Sequence, residues 1–338
     1  MKKLTITASS MQQFLKCQRA WYYRNVLGIK KTKQADALYF GTEWHSLMEC
    51  RAKGLGYDDC LQAVFEGKDI DQYVAGMLFG MYAAYCQVYG EHDGWTISPE
   101  QQFSLKVDGS YRFVAKGKLD GIGERDGKTL IVEHKTTSDD ILKSGDFCYW
   151  SKLRFDIQVL QYYWAVVNSL HVKPEIVYDV ARKPKLEPRN IPQLDSDGNK
   201  IVVYDGTDTR VYLKDSKPRQ SAGDGMTLVS RKETRDEYAK RVYDTIIENP
   251  TQWFERRSVT VLESDVEKFL KIRLAICNQI TDNMSRHKKL GADTWTMNMC
   301  NRNCDGCSYA PFCYTGVEPD VDRLPEGYEL KQANEELA

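Results

Sequence analysis

Residues 111–138, YRFVAKGKLDGIGERDGKTLIVEHKTTS, constrain this chain more than any other stretch. Two apolar, β-branched runs flank Gly123-Glu124-Arg125-Asp126-Gly127-Lys128. An Asp-Gly step between such runs predicts a β-hairpin. Asp120 lies on the first arm and Glu133 on the second, with Lys135 two residues further on. Strand side chains alternate between faces, so Glu133 and Lys135 share one, and pairing of the arms brings Asp120 near Glu133. An ordinary solvent-facing hairpin also carries mixed charge. Here Val114, Leu119, Ile131 and Val132 mark the arms as buried, and a buried carboxylate has to be paired or bound to metal. Two carboxylates and one ammonium suit a hard divalent cation with a water beside it.

With 338 residues and 42% apolar content, the chain has enough material for a sizeable globular core in one or two domains. The formal net charge of −1 gives no global basic field, so nucleic-acid binding would fall to a local patch. No apolar run approaches the ~20 residues that cross a bilayer, so no membrane partner is expected. MKKLTITASSMQQF lacks the apolar centre of a signal peptide. The expected setting is the reducing cytoplasm, where clustered members of the ten cysteines point to metal rather than disulfides.

Residues 7–28 read as one amphipathic helix, capped by Ser9 or Ser10 with Gln13 completing a capping box. Cys17 falls in its middle, and Lys16, Arg19, Arg24, Lys30, Lys31 and Lys33 make this end basic. Residues 37–53 form a second predicted helix, with His45 and Glu49 on one face. Residues 71–89 form a third, whose aromatic and methionine stripe reads as core. Residues 96–107 alternate as a strand leading to the hairpin, with Glu100 read as a surface residue. A polar connection, 138–156, leads to the helix IQVLQYYWAVVNSL, on which Gln158 and Tyr162 stack at i,i+4. Residues 174–182 return as a strand, giving βαβ character.

Residues 183–227 are rich in proline and glycine and read as a β-rich or flexible insertion, with a turn at Ser196-Asp197-Gly198-Asn199. Its basic start, RKPKLEPR, reads as a solvated loop or a DNA-facing one. A helix at 230–249, a strand at 253–262 and a long helix at 263–288 follow. The predicted organisation is a single domain, 1–338. Its parts are an N-terminal helical part (1–95), a core (96–182), the insertion (183–227), C-terminal helices with a cysteine cluster (228–315) and a tail (316–338).

That cluster, MCNRNCDGCSYAPFC, places Cys304, Cys307 and Cys313 in a C-x2-C-x5-C pattern, with Gly306 and Pro311 to bend the backbone. Three close thiolates suit a soft metal, which wants a fourth ligand. Cys300 is the local candidate and Cys17 the distant one, and local spacing alone favours Cys300 and zinc. Cys50, Cys60, Cys86, Cys148 and Cys277 are scattered.

Asp120, twelve residues, then Glu133-His134-Lys135 resembles the D…ExK signature of the PD-(D/E)XK nuclease superfamily. GKLDGI…LIVEHKTTS is most similar to its RecB-like branch, which includes the AddB nuclease domain, CRISPR-associated RecB-like exonucleases and phage recombination nucleases. Gly41-Thr42-Glu43-Trp44-His45 resembles that branch's GxxxH motif, and Gln158-x3-Tyr162 its QxxxY motif. Cys17 with Cys304, Cys307 and Cys313 is similar to the four ligands of its iron–sulphur members.

The resemblance implies an α/β, restriction-endonuclease-like mixed sheet flanked by helices, with an iron–sulphur-stapled helical periphery. It implies a DNA exonuclease acting on single strands or duplex ends in recombination or repair, alone as a homo-oligomer or with a recombination partner. Mg2+ or Mn2+ would be held by His45, Asp120, Glu133 and the His134 carbonyl. Asp120, Glu133 and Lys135 would be catalytic, with Gln158 and Tyr162 on the substrate. A [4Fe–4S] cluster, or Zn2+ in its place, would sit on the cysteines. The competing expectation is a non-catalytic iron–sulphur or zinc DNA-binding subunit of a larger complex. No GxxxxGK[ST] is present, so no helicase motor is expected.

Overall fold

The computed structural model describes residues 3–32, 36–90, 96–205, 210–211, 213–214, 217–218, 221–299, 304–331 and 337. The chain opens with β1 (Leu4–Ile6), α1 (Ala8–Lys16), α2 (Gln18–Asn25) and β2 (Ile29–Lys31). Helices α3 (Asp36–Ala52), α4 (Tyr57–Phe65) and α5 (Gln72–Tyr89) follow. Next come β3 (Thr96–Lys106), β4 (Phe113–Arg125), β5 (Lys128–Thr137), α6 (Tyr149–Leu153), α7 (Ile157–Leu170) and β6 (Glu175–Arg182). The 183–232 region holds β7 (Asn190–Pro192), β8 (Val202–Tyr204), β9 (Leu213–Lys214), β10 (Lys217–Pro218), β11 (Met226–Leu228) and β12 (Ser230–Lys232). These pair as three small ladders, β7 with β12, β8 with β11 and β9 with β10. Last come α8 (Arg235–Glu248), β13 (Phe254–Val259), α9 (Glu263–Leu290), α10 (Ala310–Thr315) and β14 (Tyr328–Leu330).

The hairpin forms as its sequence predicts. Asp126 and Gly127 take φ of 53° and 72°, the paired left-handed conformations of a two-residue turn that matches strand twist. Strand β4 is the pivot of a mixed sheet. One edge pairs with β3 from Thr96↔Glu124 to Lys106↔Val114. The other edge is shared: β1 runs parallel to Phe113–Ala115, and β5 runs antiparallel from Arg125↔Lys128 only as far as Gly121↔Val132. On its other edge β5 runs parallel to β6 from Leu130↔Glu175 to Thr137↔Arg182, past the point where it leaves β4, and β6 pairs antiparallel with β13. The sheet therefore splits at Asp120 and Glu133.

Helices cover both faces. Helix α7, with α1, α2 and α9, packs through Leu160, Trp164, Phe14, Trp21 and Phe269, and α7 also meets Ile131, Tyr178 and Val180 of the sheet. Helices α3, α5 and α8 meet on the other face around Trp44, Leu78, Tyr85, Val242 and Phe254. Alternation along β6 explains the partition, Val180 facing α7 and Ala181 facing α3 and α5. This is the mixed α/β sheet with flanking helices that the sequence implies.

The N-terminal segment differs from the single helix expected. Thr7, not Ser9 or Ser10, is the cap, its side chain accepting from Ser10 N. The helix breaks at Cys17, which is extended at φ −164° and ψ 116° between α1 and α2. The C-terminal region docks here. Arg19, 7% exposed, donates to the Trp295 carbonyl at 2.9 Å and pairs with Asp293 and Glu318. Asn298 donates to the Lys16 carbonyl, Tyr22 stacks on Trp295, and β14 pairs with β2.

Candidate active site

The split between β4 and β5 leaves main-chain groups without ladder partners. Asp120 fills one vacancy, its Oδ2 accepting from the His134 N–H at 3.0 Å. Gln161, fully buried on α7, fills another by donating to the Lys116 carbonyl at 3.0 Å. Strand β3 is distorted at the same level. Glu100 has φ of 53°, a left-handed conformation rarely taken by a non-glycine residue, and it falls between the pairs Pro99↔Gly121 and Gln101↔Leu119, opposite Asp120. Its carboxylate pairs with Lys118. Gly117 is required close by, because a Cβ there would stand 2.6 Å from the Phe103 ring and 3.1 Å from Tyr162.

Glu133 and Lys135 share a face, as alternation dictates, and face α7. Lys135 Nζ lies 2.8 Å from Glu133 Oε1, 2.9 Å from Gln158 Oε1 and 3.5 Å from Asp156 Oδ2. Gln158 Nε2 in turn donates to Tyr162 OH at 3.1 Å. One turn of α7 thus carries the line Lys135–Gln158–Tyr162. Asp156 also caps that helix, accepting from Gln158 N. His45 reaches Asp120 from α3, with Nδ1 3.2 Å from Oδ2.

The electrostatics separate the two carboxylates. Glu133 is 0% exposed, and its Oε2 has no hydrogen-bond partner. Burial first, and then the Asp120 charge, push its pKa up to about 8. Burial would raise Asp120 as well, but His45 and the His134 N–H outweigh it and hold that carboxyl below its usual range. Burial likewise opposes the charged forms of His45 and Lys135. Asp120 overrides it at His45, while Glu133 and Asp156 override it at Lys135, so both pKa values rise. Burial and the two carboxylates raise the Tyr162 phenol well above its ordinary range, so it stays protonated.

A buried carboxylate with an unpaired oxygen, beside a second carboxylate and an imidazole, is a donor set for a hard divalent cation. Oxygen and imidazole donors present no thiol to a soft metal, so the residues fit Mg2+ or Mn2+. Among the described residues, no group of three or more His, Cys, Asp or Glu side chains closes as tightly as around a bound ion.

Two features have no sequence signal of their own. Asp156 sits in the polar connection before α7 and looks like a simple helix cap. On the face opposite Glu133, the His134 ring is buried with its Nδ1 3.3 Å from Asp179 Oδ2. Tyr85 donates to that carboxylate, and Arg256 Nε lies 3.4 Å from it. This cluster braces the strand segment that carries Glu133 and Lys135. Its members come from α5, β5, β6 and β13, so only the folded sheet brings them together.

The cysteines expected to hold a cluster belong to the N- and C-terminal segments. Cys17, Cys307 and Cys313 pack against one apolar core. Burial raises the Cys313 thiol, and Cys17, Cys307 and Cys304 add to the rise, which places all three within its electrostatic reach. Cys300 lies outside the described residues.

The strand pair parts around two carboxylates and a lysine, on a sheet covered by helices. The chain belongs to the PD-(D/E)XK nuclease superfamily, whose family model matches residues 5–314. Members of that superfamily are typically metal-dependent nucleases. No curated protein matches the chain. Among solved structures, one described as "Crystal structure of SSO0001" is similar at 13% identity and a TM-score of 0.26, covering 74% of this chain and 78% of the other. No described helix is long and apolar enough to cross a membrane.

Proposed function

We propose that the protein is a DNA exonuclease of the RecB-like kind, hydrolysing single strands or duplex ends in recombination or repair. The observation that carries the hydrolytic reading is the unpaired, buried Glu133 oxygen beside Asp120, at the point where β4 and β5 part. His45, Asp120, Glu133 and the His134 carbonyl would hold Mg2+ or Mn2+. A divalent cation there supplies charge neutralisation at the scissile phosphate and a more acidic water.

The chain's own residues supply the rest. Lys135, kept protonated by Glu133 and Asp156, orients the attacking water and offsets the negative charge of the transition state. Gln158 fixes the Lys135 ammonium and links it to Tyr162, so the two α7 residues set the depth at which a strand enters. Phe147 and Phe155, 92% and 61% exposed in the connection after β5, are available to stack on unpaired bases. A [4Fe–4S] cluster on Cys17, Cys304, Cys307 and Cys313 would tie α1 and α2 to the C-terminal region, so its binding energy would be in part folding energy.

Degradation of linear and of closed circular single-stranded DNA, with label at either end, tests this reading. The expected result is a ladder from one end of the linear strand with the circle spared. Cleavage of the circle would make the enzyme an endonuclease. No cleavage of either by protein with its cluster intact would favour a DNA-binding subunit.

A further inference from the structure

A cavity of about 560 Å³ lies between α3, α5 and residues 183–188, lined by Phe40, Tyr73, Met77, Ser138, Lys183 and Lys185 among others. It adjoins the carboxylate site through β5. The Lys183 N–H donates to the carbonyl of Thr137, the last residue of that strand, at 2.8 Å. Thr137 is four residues beyond Glu133, or about 13 Å at the rise of a strand. Helix α3 contributes Phe40 to the lining. It carries His45 at the carboxylates, and one turn earlier a Cβ on Gly41 would stand 3.6 Å from Thr136 Oγ1. Phe40, next to that glycine, lies in the cavity.

The groove is lined by two lysines and two acidic residues, and the lysines stand together on the 183–188 side. Lys183 is half-buried with its ammonium over the Phe40 ring, 5.1 Å from the centroid. Among the described residues no carboxylate pairs with Lys183 or Lys185. Arg182 by contrast pairs with Asp140, Arg189 and Arg241 with Glu233, and Arg231 with Glu237. Two acidic residues also line the groove. Asp71 is used at the start of α5, where it accepts from Tyr73 N and Val74 N, and Glu187 is exposed. Burial lowers the Lys183 pKa with no compensating partner. A partly desolvated ammonium is stabilised when an anion arrives.

We propose that this groove holds the DNA single strand beside the scissile bond, with the Lys183 ammonium on a backbone phosphate. The inference rests on the nuclease reading and extends it to the path of the substrate. The volume is that of a small-molecule site, which suits a nucleotide or two of one strand rather than a duplex. Phe40 backs the lysine while Tyr73 and Met77 supply apolar wall, so the groove reads the backbone without reading sequence.

The test is fluorescence anisotropy of a labelled single-stranded thymidine oligonucleotide with Asp120→Ala protein, comparing added Lys183→Gln, Lys183→Arg and Lys271→Gln. Lys271 is exposed on α9, away from the groove. Lys183→Gln should weaken binding about five-fold or more and flatten the dependence of log K on log salt by about 0.7, the value for one phosphate on a single strand. Lys183→Arg should retain most of the affinity, and Lys271→Gln should change nothing. Unchanged affinity and slope in Lys183→Gln would overturn the inference. Cleavage by the same set with Asp120 restored separates the two claims. If wild type cleaves and Lys183→Gln binds normally, the groove alone is wrong. If wild type fails to cleave while Lys183→Gln loses affinity and slope, the groove stands and the nuclease reading falls.

Discussion

Replacing Glu133 with glutamine should stabilise the metal-free protein while abolishing cleavage. Glu133 is fully buried, leaves Oε2 without a partner and faces the charge of Asp120. Its pKa rises from an ordinary 4.5 to about 8, with burial the largest cause and Asp120 the next. Between those values the folded protein keeps a proton that the unfolded chain has released, so stability falls as pH rises through that window. At 1.36 kcal/mol per pH unit, the shift corresponds to roughly 5 kcal/mol of destabilisation above pH 8. Glutamine carries no charge to desolvate and still reaches Lys135 through its carbonyl oxygen.

The assay is thermal unfolding followed by circular dichroism in EDTA, from pH 5 to 9. Wild type should lose stability over pH 4.5 to 8 and level off above it. Glu133→Gln should lack that slope and melt several degrees higher at pH 8.5, at about 2 °C per kcal/mol for a chain of this size. Added Mn2+ should raise the wild-type melting temperature more than that of the variant, since the cation binds the folded carboxylates. A variant that melts at or below wild type at pH 8.5 in EDTA would refute the picture of a strained, cation-seeking carboxylate.

Other perturbations separate chemistry from support. Lys135→Met should lower the cleavage rate by about 10²-fold or more with little change in DNA affinity, measured by single-turnover kinetics and anisotropy. Asp179→Ala leaves the buried His134 and the half-buried Arg256 without their shared carboxylate, and should cost about 3–5 kcal/mol in denaturant unfolding. Gln161→Leu orphans the Lys116 carbonyl and should cost roughly 1–3 kcal/mol by the same measurement. Cys17→Ala should bleach visible iron–sulphur absorbance in anaerobically purified protein; bleaching by Cys300→Ala alone would reassign the ligand set.

Much of the core was legible because its periodicities are strong. The Asp126-Gly127 turn, the alternating β5 face with Glu133 and Lys135, and the Gln158–Tyr162 pair on α7 all follow from local spacing. Strand β1 was not legible, since three residues carry too little pattern and its partner at Phe113–Ala115 is over a hundred residues away. The break at Cys17 is also hidden. Apolar residues on both sides keep a helical period, and the extended conformation goes with tertiary contacts, such as that of Asn298 with Lys16.

Alternation tells which face a strand residue takes but not where two strands part. The sequence therefore pairs Asp120 with Glu133 across a ladder, whereas the ladder stops at Gly121↔Val132 and the His134 N–H turns to the Asp120 carboxylate. Two strands, β1 and β5, share one edge of β4, and that sharing appears only in the assembled sheet. The Asp179 cluster is non-local for the same reason.

The proposed chemistry is metal-dependent hydrolysis at Asp120, Glu133 and Lys135. It is tested most directly by cleavage of end-labelled DNA in Mn2+, Mg2+ or EDTA, with Asp120→Ala alongside wild type. Wild type should cleave in at least one metal and not in EDTA, and the variant should not cleave. Cleavage that survives EDTA or the Asp120 substitution would contradict it.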